Sequence, residues 1–305
     1  IYEPISTISG FNFALTNNGG MKTSGIELAL NGRVLNKSVR LDLGLNLATA
    51  KSEMTELPGD QIITEIGNAI VLTKVGQAPN LFYGFQTDGI YQTSGEAASE
   101  GLSYRNIDGS STPFAAGDVR FVDNYDDNII DEKDMVVIGD PNPDFTGALS
   151  ALLSYKRFNL DALFTFSKGN DIYNYTRYTL ESMNGYNNQL QIAANRWRNE
   201  GQTTTVPRAS WGDPSGNSRF SDRWIEDGSY LRLRTVSLTY DVPVKEGILV
   251  RYVKVYATAN NLLTFTKYLG YDPEFSSSAS IFARGIDVGL EPQFRTIQLG
   301  IRIGL

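Results

Sequence analysis

Along the last eleven residues, Arg295 to Leu305, every second side chain is apolar. Ile297, Leu299, Ile301, Ile303 and Leu305 alternate with Gln298, Gly300, Arg302 and Gly304. A period of two describes a strand with one apolar face and one polar face. Such a strand at the very end of a chain is the pattern expected of a transmembrane β-barrel, where the last strand pairs with the first to close the cylinder.

The same period recurs upstream. Ser24 to Val34 alternates, and Val39 to Leu47 sets Val39, Leu41, Leu43, Leu45 and Leu47 against Arg40, Asp42, Gly44 and Asn46. Only Asn36-Lys37-Ser38 separates the two runs, which predicts a hairpin. Phe145 to Tyr155 and Phe158 to Ser167 flank a short turn at Lys156-Arg157. Tyr230 to Asp241 and Leu249 to Leu263 flank a short link at Val242–Gly247. This makes seven strands with the terminal one, and Ile5 to Thr16 is a candidate eighth. In the Tyr230–Asp241 run the parity changes between Leu233 and Val236. Either a bulge lies near Arg234-Thr235, or the upper part of that strand stands above the bilayer.

Between these hairpins lie long irregular regions rich in Gly, Asp, Ser, Asn and Pro, at about 51–143, 169–227 and 264–292. Leu190 to Arg198 reads as the one short helix among them. Connections therefore alternate short and long, as in outer-membrane barrels with short periplasmic turns and long extracellular loops. With that parity the final strand runs toward the periplasm. A soluble β-sandwich also alternates, but connections of about fifty residues or more are rare there. The fold class expected is all-β: a segment of a transmembrane antiparallel β-barrel with long extracellular loops. Arg40, Asp42, Asp161 and Arg302 should then face the lumen or a rim, because a basic residue at the lipid midplane costs roughly 2–4 kcal/mol. Tyr155, Phe158 and Tyr240 fit an aromatic girdle at the periplasmic interface.

Composition excludes several functions. The chain has no Cys and no His. Disulfides, thiol nucleophiles, Ser-His-Asp triads and most zinc sites are thereby removed. The formal net charge is −7, with no long basic run, which argues against nucleic acid as a partner. No run of 18 apolar residues forms a membrane helix, which leaves a barrel untouched. The chain opens Ile1-Tyr2-Glu3-Pro4 without a signal peptide, and reads as a segment that begins inside a longer protein.

Several stretches in order along the chain resemble the C-terminal part of a SusC-like TonB-dependent outer-membrane transporter of the Bacteroidetes type. They are Asn18 to Leu28, Tyr83 to Thr93, Gly117 to Asp123, Ile138 to Phe145, Arg219 to Leu233, Asn260 to Tyr268 and Gly270 to Glu274. The resemblance covers nearly all of residues 1–305. It implies a plugged barrel of about 22 strands, of which about seven or eight are present here. It further implies active import of glycans or peptides in the bacterial outer membrane, energised by the TonB complex, beneath a SusD-like surface lipoprotein that acts as a lid. Plug and TonB-engaging motif are not in these residues, and no enzyme activity or organic cofactor is implied. Two other functions are weighed: a barrel used as a structural scaffold in a surface assembly, and a secreted glycosidase working with paired carboxylates.

The most specific local chemistry is the run Asp123 to Asp134. Asp123, Asp127, Asp131 and Asp134 occupy positions 1, 5, 9 and 12 of a calcium loop, and Ile129 would offer its backbone carbonyl. Tyr125 replaces a usual ligand, and Asn128 stands where Gly makes the sharp turn. Asn tolerates the left-handed conformation needed there. The expectation is a structural Ca2+ that staples a loop, or else a solvated acidic loop. The loop aromatics Tyr173, Tyr175, Tyr178, Trp197, Trp211 and Trp224 either pack among themselves or meet substrate or lid.

Overall fold

A computed structural model of the chain describes residues 2–4, 10, 13–15, 17–106, 108–245, 249–275 and 284–305. Seven strands form one antiparallel sheet: β1 (Gly20–Asn36), β2 (Val39–Glu56), β3 (Phe145–Tyr155), β4 (Phe158–Lys168), β5 (Tyr230–Val242), β6 (Tyr252–Thr266) and β7 (Thr296–Gly304). Each pairs with its neighbours in sequence, so the spatial order is β7-β6-β5-β4-β3-β2-β1, an up-and-down meander. The first hairpin is longer than the alternation suggests, since β2 continues to Glu56. The long connections accordingly run over 57–144, 169–229 and 267–295. The candidate eighth strand lies mostly outside the described residues. Its described part, Phe13–Leu15, pairs with the preceding Tyr2–Pro4 in a separate sheet.

Register places the alternation as expected. Leu45 sits opposite Leu149, which sits opposite Phe164. Phe164 then pairs with Leu233, and Leu233 with Leu263. The parity change in β5 is a bulge: pairing slips between Leu233 and Thr235. The bulge keeps Leu231 and Leu233 on the face that Val236, Leu238 and Tyr240 share. On β6 it is matched by Asn261, which adopts a left-handed φ of 51°.

This apolar face has no second layer. Leu28, Leu149, Leu238, Leu263 and Leu299 are all exposed, Leu299 at 82%. Aromatic side chains bracket it. Tyr155, Phe158 and Tyr240 lie at the end with short turns, with the Phe158 and Tyr240 rings 4.8 Å apart. Phe145, Phe166 and Phe265 lie toward the other end, with the Phe145 and Phe166 rings 6.2 Å apart. Phe145 and Tyr155 are the two ends of an 11-residue strand. At about 3.3 Å per residue and a tilt of about 40°, that spans roughly 25 Å of height, the thickness of a barrel's apolar band.

The opposite face is polar and cross-linked. Arg33 donates to Asp42 at 2.7 Å, and Arg40 stands 3.4 Å from the same carboxylate. Ser154 donates to Asn159, Asn159 to Asp241, and Lys254 pairs with Asp241 at 3.1 Å. Asp161 and Arg302 belong to this face by register. On β7, Gly300 and Gly304 lie opposite Tyr256 and Tyr252, whose rings occupy the space a side chain would need. The glycines of the terminal alternation are thus seats for neighbouring rings.

The three long connections are not irregular; this corrects the sequence expectation. They fold together into a body at one end of the wall. A four-stranded sheet combines Gln61–Ile66, Ala69–Lys74, Leu81–Gly84 and Val136–Gly139. Asp171–Asn174 pairs with Ile225–Asp227 and Ile286–Asp287. Helices cover Ser94–Glu100, capped by Thr93 and Gly101, and Tyr175–Glu181, capped by Asn174. The short helix expected at Leu190 to Arg198 is a 3-10 turn at Gln191–Asn195. Two large cores and a small one at Met183, Ala193 and Val206 hold the body among the described residues. One large core gathers Phe85, Tyr91, Tyr104, Phe114, Phe121 and Ile130. The other gathers Val71, Phe82, Tyr173, Phe220, Trp224 and Ile286.

Candidate functional site

Most stretches that carry the family resemblance are joints of this body. Phe85 donates its amide to the Phe220 carbonyl at 3.1 Å, and the Asp222 amide donates to the Phe85 carbonyl at 3.1 Å. Asp222 also accepts from the Thr87 hydroxyl at 2.6 Å. Two stretches about 130 residues apart in sequence are therefore mutual partners. Gly117 has a φ of 84° and lies under the Trp197 ring, so a larger residue fits neither its backbone nor its space. Next to it, Asp118 is fully buried. Its carboxylate takes both Arg208 donors at 2.8 and 2.9 Å, together with the Ser215 hydroxyl and the Asn217 amide. That bidentate pair ties the first connection to the second.

A second joint fixes the third connection to the polar face of the wall. Arg232 of β5, buried at 2% exposure, bonds Asp272. Arg234, at the bulge, bonds Glu274. Asp272 also accepts the amides of Glu274 and Gln293. The bulge thus has a use: the extra residue turns Arg234 toward the loop that Arg232 already holds. Neither joint was visible in the sequence, because its partners lie 40 or more residues apart. The only signal was that Phe85 and Phe220, Asp118, and Arg232 with Asp272 fall within stretches shared with the resembling family; Arg208 does not.

The acidic run folds as a compact loop. Asp123 accepts the amides of Asp126 and Asn128, each at 2.7 Å. Asn128 has the left-handed φ expected, 61°, as has Asp126 at 64°. Asp134 is fully buried and accepts the amides of Asn124, Tyr125 and Asp131 at 2.9 to 3.0 Å. Burial raises the Asp134 carboxyl above its ordinary range, and its contact with Asp123 adds to this. Asp123 shifts the other way: the Asn128 and Asp126 amides outweigh its burial. The other two carboxylates face cations of the protein. Asp127 stands 3.3 Å from Lys133, and Asp131 stands 3.1 Å from Arg105. Ile129 pairs with Ser103 in a short parallel bridge. Of the five residues in the calcium pattern, the fold brings together Asp123 and Asp134. Among the described residues, no three acidic side chains gather closely enough to hold a metal ion.

The aromatic side chains divide. Tyr173, Tyr175, Tyr178 and Trp224 pack on one another and on Phe220, with ring separations of 4.8 to 6.4 Å. Trp197 donates its indole N–H to the Gln92 carbonyl at 3.0 Å. Trp211 is exposed and pairs with the exposed ring of Tyr186 at 6.2 Å.

An up-and-down wall with one bare apolar face, one polar face, short turns at one rim and a folded body at the other defines a segment of a transmembrane β-barrel. Comparison with known proteins points the same way: the chain is homologous along nearly its full length to TonB-dependent receptors, SusC among them. It is 31% identical to TonB-dependent receptor P3 of Formosa agariphila, over 99% of this chain and 30% of that protein. It is 26% identical to TonB-dependent receptor SusC of Bacteroides thetaiotaomicron, over 98% of this chain and 28% of that protein. Among solved structures, the RagAB peptide transporter superposes with a TM-score of 0.77 at 25% identity, over 98% of this chain and 31% of that one. The RagAB peptide importer in its closed-closed state gives 0.73 at 26% identity, over 99% of this chain and 31% of that one. No protein-family model matches the chain. The chain spans less than a third of the length of these relatives.

Proposed function

We propose that this chain is an arc of the wall, with its extracellular body, of an outer-membrane importer for glycan or peptide oligomers. The TonB complex energises import, and a SusD-like lipoprotein covers the folded end as a lid. The observation that supports this reading is the two-faced wall: apolar toward lipid and polar toward a lumen, in a chain homologous to TonB-dependent receptors. The body at the far rim then lies outside the cell, and the Lys37-Ser38 and Lys156-Arg157 turns lie in the periplasm. Cells carrying the whole protein should lose uptake of its oligomer when TonB is deleted. Uptake that persists at the same rate without TonB overturns the reading.

The acidic loop is proposed as a structural cation site within this body. Asp123 and Asp134 supply the first pair of oxygens. Asp127 and Asp131 join them by leaving Lys133 and Arg105. Calcium there holds a loop in place and takes no part in transport.

A further inference from the structure

The arginines of this protein that are buried or half-buried are almost all matched. Arg120, Arg177, Arg208, Arg232 and Arg234 each have a carboxylate partner. Arg196 donates to the Ala193 carbonyl. Arg219 and Arg223 have no carboxylate within ion-pair distance among the described residues. Arg219 is accounted for by packing: its guanidinium lies over Phe85 and Phe121 at 5.2 and 5.4 Å, and its Nη1 is sealed from solvent.

Arg223 is different. It is half-buried, and none of its nitrogens is among the sealed, unpartnered atoms. Its guanidinium carbon stands 4.7 Å from the centre of the fully buried Trp224 ring. Arg177 approaches the same ring at 5.7 Å but is already held by Glu181 and Glu226. The charged groups that face Arg223 are therefore Arg177, Glu181 and Asp213. Glu181 is engaged by Arg177, and Asp213 by the Asn217 amide and by the amide and hydroxyl of Ser218. Burial and the neighbouring Arg177 push Arg223 down to about 10, which leaves it cationic at neutral pH. A planar guanidinium against an aromatic ring keeps its edge free, and that edge matches a carboxylate in a two-point bond.

We propose that Arg223, seated on Trp224, is a binding site for a carboxylate group on a ligand that reaches the loop body. The proposal stands on this geometry and does not require that the protein imports anything. The same chemistry could arrive on an acidic peptide or on an acidic sugar, so both are tested. With the intact protein in detergent at constant ionic strength, the melting temperature of the body is followed by tryptophan fluorescence. N-acetylglutamate and glucuronate are the probes; N-acetylglutaminamide, with both carboxyls replaced by amides, and glucose are their neutral counterparts. At least one carboxylate should raise the melting temperature saturably where its neutral partner does not, and the better of the two names the source. Arg223→Gln should weaken that response at least about tenfold, and Arg223→Lys, which keeps the charge but loses the fork, should fall between. Arg157→Gln, in an exposed turn, should respond as the wild type does. A wild type that does not distinguish carboxylate from amide overturns the proposal. So does an Arg223→Gln or Arg223→Lys protein with the wild-type response.

Discussion

The wall and the body are built from one chain for two different surroundings. In the wall, strands carry their large apolar side chains on a face that no other element covers. In the body, the same kinds of side chain close over one another: Phe82, Ile130, Tyr173 and Trp224 are all but inaccessible. The wall's order comes from a continuous ladder of backbone hydrogen bonds, and its apolar face is completed by lipid. The body's order comes from cores and buried ion pairs that join distant segments. Exposure of an apolar residue therefore means opposite things in the two halves.

The largest test of this contrast lies in the body. Trp224→Ala should cost about 3–5 kcal/mol of body stability, as removal of a buried aromatic does. Hydrogen exchange should show lost protection at Asp171–Asn174 and Ile225–Asp227 with unchanged protection in β3 and β4. Equal loss in both halves would mean that they form one cooperative unit. The next test compares residues of equal exposure, Leu149 on β3 at 40% and Leu190 in the second connection at 41%. In a bilayer, Leu149→Arg should cost roughly 2–4 kcal/mol, whereas Leu190→Arg should stay within about 0.5 kcal/mol. Similar costs at both sites would remove the distinction between the two halves.

The smallest effect concerns the acidic loop. The Asp134 carboxyl is raised in the folded protein, so the native state holds its proton more tightly than the unfolded chain does. Its contribution to stability is then lost as pH rises from the ordinary aspartate value of about 3.9 toward the raised native value. Calcium should restore part of that stability at neutral pH and do less as pH falls into this window. Chelator should lower the melting point of the wild type, and Asp127→Ala should abolish the difference. If chelator changes nothing in the wild type, the loop is a purely hydrogen-bonded turn.

What the sequence disclosed follows the same division. Wall strands are legible because a strand between lipid and a lumen must alternate; the break in parity at Arg234-Thr235 was legible too, but only the register decides for a bulge over a segment above the bilayer. The alternation of β2 fades after Leu47, although the strand runs on to Glu56. Beyond the apolar band, nothing requires every second residue to be greasy. The body was read as irregular because its strands are only two to six residues long and one of its cores draws on Phe82, Phe220 and Ile286 from three separate connections. No local period records such contacts. The acidic loop lay between these extremes. Its spacing and the turn at Asn128 were readable, but the competition of Arg105 and Lys133 for its carboxylates was not.

The joints also bear on how such a chain can assemble. Phe85 and Phe220 are far apart in sequence, and closing so long a loop from an unfolded chain is slow. Yet each long connection leaves and re-enters the sheet on adjacent strands, and at the ends of the second the Gly169 amide donates to the Ser229 hydroxyl at 3.1 Å. Once β4 and β5 have zipped as far as the Ser167–Tyr230 pair, the ends of the second connection are already about 5 Å apart, and most of its closure entropy has been spent. Wall pairing is thus the rate-setting template on which the body condenses, and refolding should show strand protection appearing before the burial of Trp224.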